Sequence, residues 1–104
     1  MHIPPALFFF KEVEDFWIAE YKETLLELLN KYQSKIVMIL GAHIHQADIR
    51  APISNKYPDL NIPLILTPSV SPYFDNNPGY TVLDLELDQK TKVWSSPLAH
   101  LRYF

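Results

Sequence analysis

The sequence predicts an α/β fold in which one long helix near the amino end packs on a small, mostly mixed β-sheet. Three observations predict it. Apolar residues recur with the helical period over residues 13–33, a five-residue apolar run follows at 36–40, and an extended stretch at 80–87 leads through a polar turn into a second one at 91–95.

In the first segment Phe16, Trp17, Tyr21, Leu25, Leu28 and Leu29 fall near one helical face, and Glu20, Lys22, Glu23, Glu27 and Lys31 lie elsewhere. Glu12, Glu14 and Asp15 suit the positive end of the helix dipole. Trp17 and Tyr21 are therefore expected in the core, because aromatics at helical spacing usually are. The run Ile36-Val37-Met38-Ile39-Leu40 is short and rich in β-branched residues, which predicts a strand buried on both faces and ended by Gly41. Residues 51–63 carry prolines at 52, 58 and 63 and read as a loop, and 64–67 as a second short strand. A further proline-rich connection, 68–78, closes at Gly79, after which 80–87, a turn at 88–90 and 91–95 form a hairpin.

With 104 residues the chain holds one core. Its 48% hydrophobic and 20% charged shares exclude a disordered, coiled-coil or collagen-like chain. Nine Lys+Arg against twelve Asp+Glu, a net charge of −3, provide no basic stripe, so nucleic acid is not an expected partner. No apolar run is long enough for a transmembrane segment or, at 6–10, for a signal peptide. The absence of cysteine excludes disulfides, thiolate metal sites and a cysteine nucleophile. Two glycines against nine prolines indicate stiff connections.

Any metal must then use His, Asp, Glu or Asn. His43 and His45 follow the apolar run directly; in extended chain they would project to one side, a metal-ligand spacing, although two partly exposed loop histidines fit the pattern equally well. The backbone after His2 is stiffened by Pro4 and Pro5, but its place at the amino end favours fraying. His100 reads as a surface or packing residue.

Taken in order, Met1-His2-Ile3-Pro4-Pro5, Trp17 and Tyr21 on a helix, Gly41-Ala42-His43-Ile44-His45, Pro68-Ser69-Val70-Ser71-Pro72-Tyr73 and Asn77-Pro78-Gly79-Tyr80 resemble the C-terminal part of acid sphingomyelinase-like phosphodiesterases, within the calcineurin-like metallophosphoesterases. The resemblance runs from Met1 to about Glu86. It implies that residues 1–104 are a single partial domain, the C-terminal half of a metallophosphoesterase domain with its β-sandwich cut through. It also implies that His2 and His43 are ligands of one divalent metal and His45 of its neighbour, the two ions, with zinc favoured, activating water against a phosphodiester. The expected substrate is a small phosphodiester or a lipid head group, and the expected compartment secreted or lysosomal.

There are departures from the family pattern. Ala42 and Ile44 stand where glycine and threonine are usual, Ala6 replaces a glycine, and Asp48 comes one position late for an acidic partner of the second histidine. The family's Asp-x-His, bridging Asp and Asn-His ligands have no counterpart here, so the chain alone is expected to be inactive. A sheet without its partner layer is expected to make the isolated chain self-associate. A non-enzymatic metal-binding or protein-interaction module is the alternative reading.

Overall fold

The structure, a computed structural model, describes residues 1–5, 7–52 and 54–103 apart from 10–12, with only the backbone given for 7–9, 13–15 and 96–99. Ala6 and Glu12, both singled out from the sequence, lie outside the described residues.

Two short strands open the chain, β1 (Leu7–Phe9) and β2 (Val13–Asp15), paired antiparallel with Phe8 opposite Glu14. Helix α1 follows at Ala19–Tyr32, continued by a 3₁₀ turn at Gln33–Lys35. Strands β3 (Ile39–Gly41), β4 (Asp48–Arg50) and β5 (Leu64–Leu66) form a sheet in the order β3-β5-β4. It is mixed, as expected: β3 runs parallel to β5 and β4 antiparallel to it. Finally β6 (Gly79–Leu87) and β7 (Trp94–Tyr103) make an antiparallel ribbon. The molecule is thus a small α/β protein. Among the described residues no helix is long and apolar enough to cross a membrane.

The helix is shorter than its periodicity predicts, because the chain at 13–15 is claimed by β1 and the two aromatics at 16 and 17 by other partners. Phe16 packs beside Ile44, Leu64 and Leu66, and the indole Nε1 of Trp17 donates to the Ile3 carbonyl at 3.2 Å. Ile18 is therefore extended (φ −62°, ψ 136°) and caps α1 without a side-chain hydrogen bond. The buried face is also turned from the expected one. Leu29, with Leu25 and Leu26, packs on Leu60, Ile62 and Tyr57, while Tyr21, expected in the core, is 59% exposed and Leu28 faces solvent.

The apolar run at 36–40 does not form a strand buried on both faces. Pairing begins only at Ile39, whose N–H donates to the Pro63 carbonyl at 2.8 Å, and Leu40 is 44% exposed. The reason is the partner. Strand β5 lies between Pro63 and Pro68 and offers three ladder residues, so β3 is equally short and sits at the sheet edge. All of β5 is buried, with Leu66 fully inaccessible. Ile39 packs against both apolar clusters and joins them.

Gly41 is where this sheet needs the absence of a side chain: a Cβ there would lie 2.6 Å from Leu66 Cδ2 and 3.2 Å from Leu64 Cδ1. At the other end of the chain the hairpin forms where its local signals place it, with a wider turn and a longer second strand. The Asp88 carboxylate accepts from the N–H groups of Lys90 (2.7 Å) and Thr91 (3.0 Å), Lys92 N–H donates to the Asp88 carbonyl, and Lys92 takes the left-handed conformation that closes the loop. The ladder shifts between Asp84 and Glu86, opposite the stretch holding Pro97, which has no N–H to give it.

Two outcomes test this account. Gly41→Ala is expected to lower stability by about 1–3 kcal/mol through overpacking against β5, read as a lower urea midpoint; an unchanged midpoint would contradict the close approach. The main-chain donors of Thr91, then Lys90, hold the Asp88 carboxyl below its ordinary pKa. Its ionised form therefore steadies the turn at and above the ordinary carboxylate range, and that contribution is lost as pH falls through the lowered folded-state value. Amide shifts of Lys90 and Thr91 should follow this acid titration in the native chain and not in Asp88→Ala.

Candidate metal centre

The amino end is tied along the free edge of β3. The Met1 amine donates to the Leu40 carbonyl at 2.7 Å, and Ala42 N–H donates to the His2 carbonyl at 2.9 Å. Pro4 is fully buried, and Trp17 holds the carbonyl of Ile3. His2 is thus held beside the strand end, against the expectation of a frayed terminus.

Immediately after Ala42 the chain makes a γ-turn. Ile44 N–H donates to the Ala42 carbonyl at 2.9 Å, across His43 at φ 74°. Such a conformation in a residue with a Cβ costs about 1–3 kcal/mol and persists only where the surroundings impose it. Ile44 imposes it here: at 3% exposure it is locked among Leu64, Leu66 and Phe16. Ala42, by contrast, is not at positive φ, so its methyl group costs the turn little.

The ring of His43 lies edge-on to His2, centroids 5.0 Å apart, and to Phe16 at 5.2 Å. His43 Nδ1 and His2 Nε2 are 3.2 Å apart, so one ring nitrogen donates to the other when the pair is neutral. Two imidazole nitrogens bound at ~2.0–2.1 Å to one tetrahedral ion lie about 3.3–3.4 Å apart. The 3.2 Å separation of the pair is close to that value.

His45 goes elsewhere. It too is left-handed, at φ 60°, so the extended geometry that would align positions 43 and 45 on one side is absent. Its Nδ1 lies 3.4 Å from the Tyr73 carbonyl oxygen, and its ring meets those of Phe74 (5.3 Å) and Tyr73 (6.2 Å). Phe74 and Asp75 are also left-handed, a tight reversal that brings Asp75, Asn76 and Asn77 to a polar cavity of about 360 Å³ beside His45 and Gln46, with Tyr103 on its wall. From the sequence these acidic and amide residues read only as turn formers; their tolerance of the left-handed region was the one available signal. Tyr73 is exposed beside His45.

Asp48 does not serve His45. Its Oδ2 accepts from Arg50 Nε at 2.7 Å and its Oδ1 from Ile49 N–H at 2.9 Å, at the start of an edge strand. His100 stands on the surface, its Nε2 3.5 Å from Asp84 Oδ2. Among the described residues no three His, Asp or Glu side chains gather as a metal-ligand group. The structure thus brings His2 and His43 together and turns His45 to a separate cavity.

Compared with protein-family models, curated proteins and solved structures, the chain matches none.

Proposed function

We propose that this chain is the histidine-bearing part of a metal-dependent phosphodiesterase, in which His2 and His43 hold one divalent ion, zinc by preference, and His45 contributes to a second. The observation that supports this reading is the 3.2 Å separation of His2 Nε2 and His43 Nδ1, beside the bonds of the Met1 amine to the Leu40 carbonyl and of the Ala42 N–H to the His2 carbonyl. Bound divalent ions supply Lewis acidity toward phosphoryl oxygens and make water a better nucleophile at neutral pH.

The residues of this chain do the positioning. Buried Ile44 fixes where the two loop histidines diverge, and the Gln46, Asn76 and Asn77 amides offer donors and acceptors to the polar group of a phosphodiester or lipid head group beside His45. Carboxylate ligands and the acid that assists the leaving group come, on this reading, from a complementing segment with Asp-x-His and Asn-His motifs, and the secretory or lysosomal route is its setting. Alone the chain binds metal and does not turn over. The second reading, a non-enzymatic metal-binding module, draws on the lack of a third ligand beside the pair among the described residues.

Equilibrium dialysis with zinc tests the shared premise. His2→Ala and His43→Ala are each expected to weaken zinc binding about tenfold or more, a loss of at least ~1.4 kcal/mol, with His45→Ala leaving the tighter site in place. Undiminished zinc in His43→Ala removes the metal from both readings. In-frame Asp-x-His and Asn-His codons ahead of the Met1 codon would favour the enzyme; stop codons there would leave the binding module.

A further inference from the structure

We propose that the polar cavity beside His45 binds a neutral, hydroxyl-rich ring, a sugar or a cyclitol. That such a ring is the alcohol part of a phosphodiester rests on the reading above; its binding to the cavity needs no metal.

Three separate stretches of chain wall the cavity, and tertiary contacts hold them together. His45 Nδ1 and Asn76 Nδ2 each lie 3.4 Å from the Tyr73 carbonyl oxygen, which ties the reversal at 73–77 to the loop after β3. Gly79 N–H donates to the Ser69 carbonyl at 2.9 Å and closes the base of the proline-rich connection. Gly79 is also paired with Tyr103 in the ribbon, and a Cβ on it would lie 3.1 Å from Tyr103 Cδ1 and 3.3 Å from Pro68 Cγ. The missing side chain lets the phenol ring and Pro68 come close to each other as the apolar part of the wall. The volume, about 360 Å³, lies within the ~300–1,000 Å³ of small-molecule sites.

The chemistry of this lining selects the ligand. Gln46, Asn76 and Asn77 carry amides that both donate and accept, as a hydroxyl does, and the Asp75 carboxylate accepts from hydroxyls. The side chains of Gln46, Asp75 and Asn77 make no hydrogen bond or ion pair among the described residues, so they are available to a ligand. No Lys or Arg is among the described lining residues, so nothing there offsets an anion, and Asp75 repels one. Tyr103 is the one phenol or phenyl ring among them, whereas quaternary ammonium ions are held by cages of several. A hydroxylated ring uses the whole lining: neighbouring hydroxyls meet the carboxylate and amides, and the C–H face lies on the Tyr103 ring, which is 58% exposed.

The side-chain amide resonances of Gln46, Asn76 and Asn77 report on the cavity directly. Proton–nitrogen correlation spectra of the full chain, with metal chelated, are followed while glucose, galactose or myo-inositol is added, with choline and inorganic phosphate for comparison. At least one ring is expected to move those resonances saturably, and whether a sugar or the cyclitol does so identifies the source. Asp75→Asn is expected to weaken that binding about tenfold or more, the size of a lost hydrogen bond to a charged group. Asparagine tolerates the left-handed backbone that Asp75 adopts at φ 57°, so the turn is kept in this variant. Tyr103→Leu is expected to weaken binding severalfold, and Asp59→Asn, at an exposed carboxylate outside the cavity, to leave it unchanged. Resonances that stay still with every ring, a stronger response to choline or phosphate, or native affinity in Asp75→Asn each overturn the proposal. Because no metal is present, failure here is distinct from a failure of zinc binding in the dialysis of the histidine variants.

Discussion

Two main-chain hydrogen bonds between the amino terminus and the free edge of β3 carry more of this structure than their number suggests. The Met1 amine on the Leu40 carbonyl and the Ala42 N–H on the His2 carbonyl pair residues 1 and 2 with the edge of β3. They leave His2 beside His43 and cover an edge that would otherwise present unpaired polar groups. Trp17, by donating to the Ile3 carbonyl, ties the same segment to the approach of α1. The late start of α1 at Ala19 and the meeting of the two imidazoles both adjoin this seam.

A second constraint is the brevity of β5. Prolines at 63 and 68 bracket it, so the sheet is three residues deep and the apolar residues nearby pack largely through loops. Leu60 and Ile62, in a segment without ladder hydrogen bonds, are as well buried as the strand residues. Stiff, proline-rich backbone tolerates this because less conformational entropy is lost when it is ordered. Gly41 and Leu66 then allow β3 and β5 to close tightly enough for Ile44 to be sealed beneath the turn.

The site inherits its geometry from strain imposed by that packing. Left-handed backbone at His43 and His45 on one side, and at Phe74 and Asp75 on the other, lies around buried Ile44 and the polar cavity. None of these positions is glycine, so the local cost is carried by the surrounding contacts. The consequence is a division of roles between the histidines: one pairs with a ring from the amino end, the other faces aromatic and amide groups from a distant turn.

By itself the sequence determined what local chemistry controls. The helical period placed α1 through its central turns, the strand at 64–66 was legible as an apolar run between prolines, and the hairpin was legible because Asp88 closes its own turn. The mixed α/β character followed. Only the tertiary structure decided where α1 begins, that 7–9 pairs with 13–15, that β4 completes the sheet at 48–50, and that Tyr21 points to water. Each of these is a competition between a local preference and a partner distant in sequence, and periodicity carries no information about the partner. The same holds for the histidines. Their spacing at 43 and 45 suggested a common side, but a γ-turn anchored by Ile44 set them apart, and the ring that stands next to His43 is forty-one positions away.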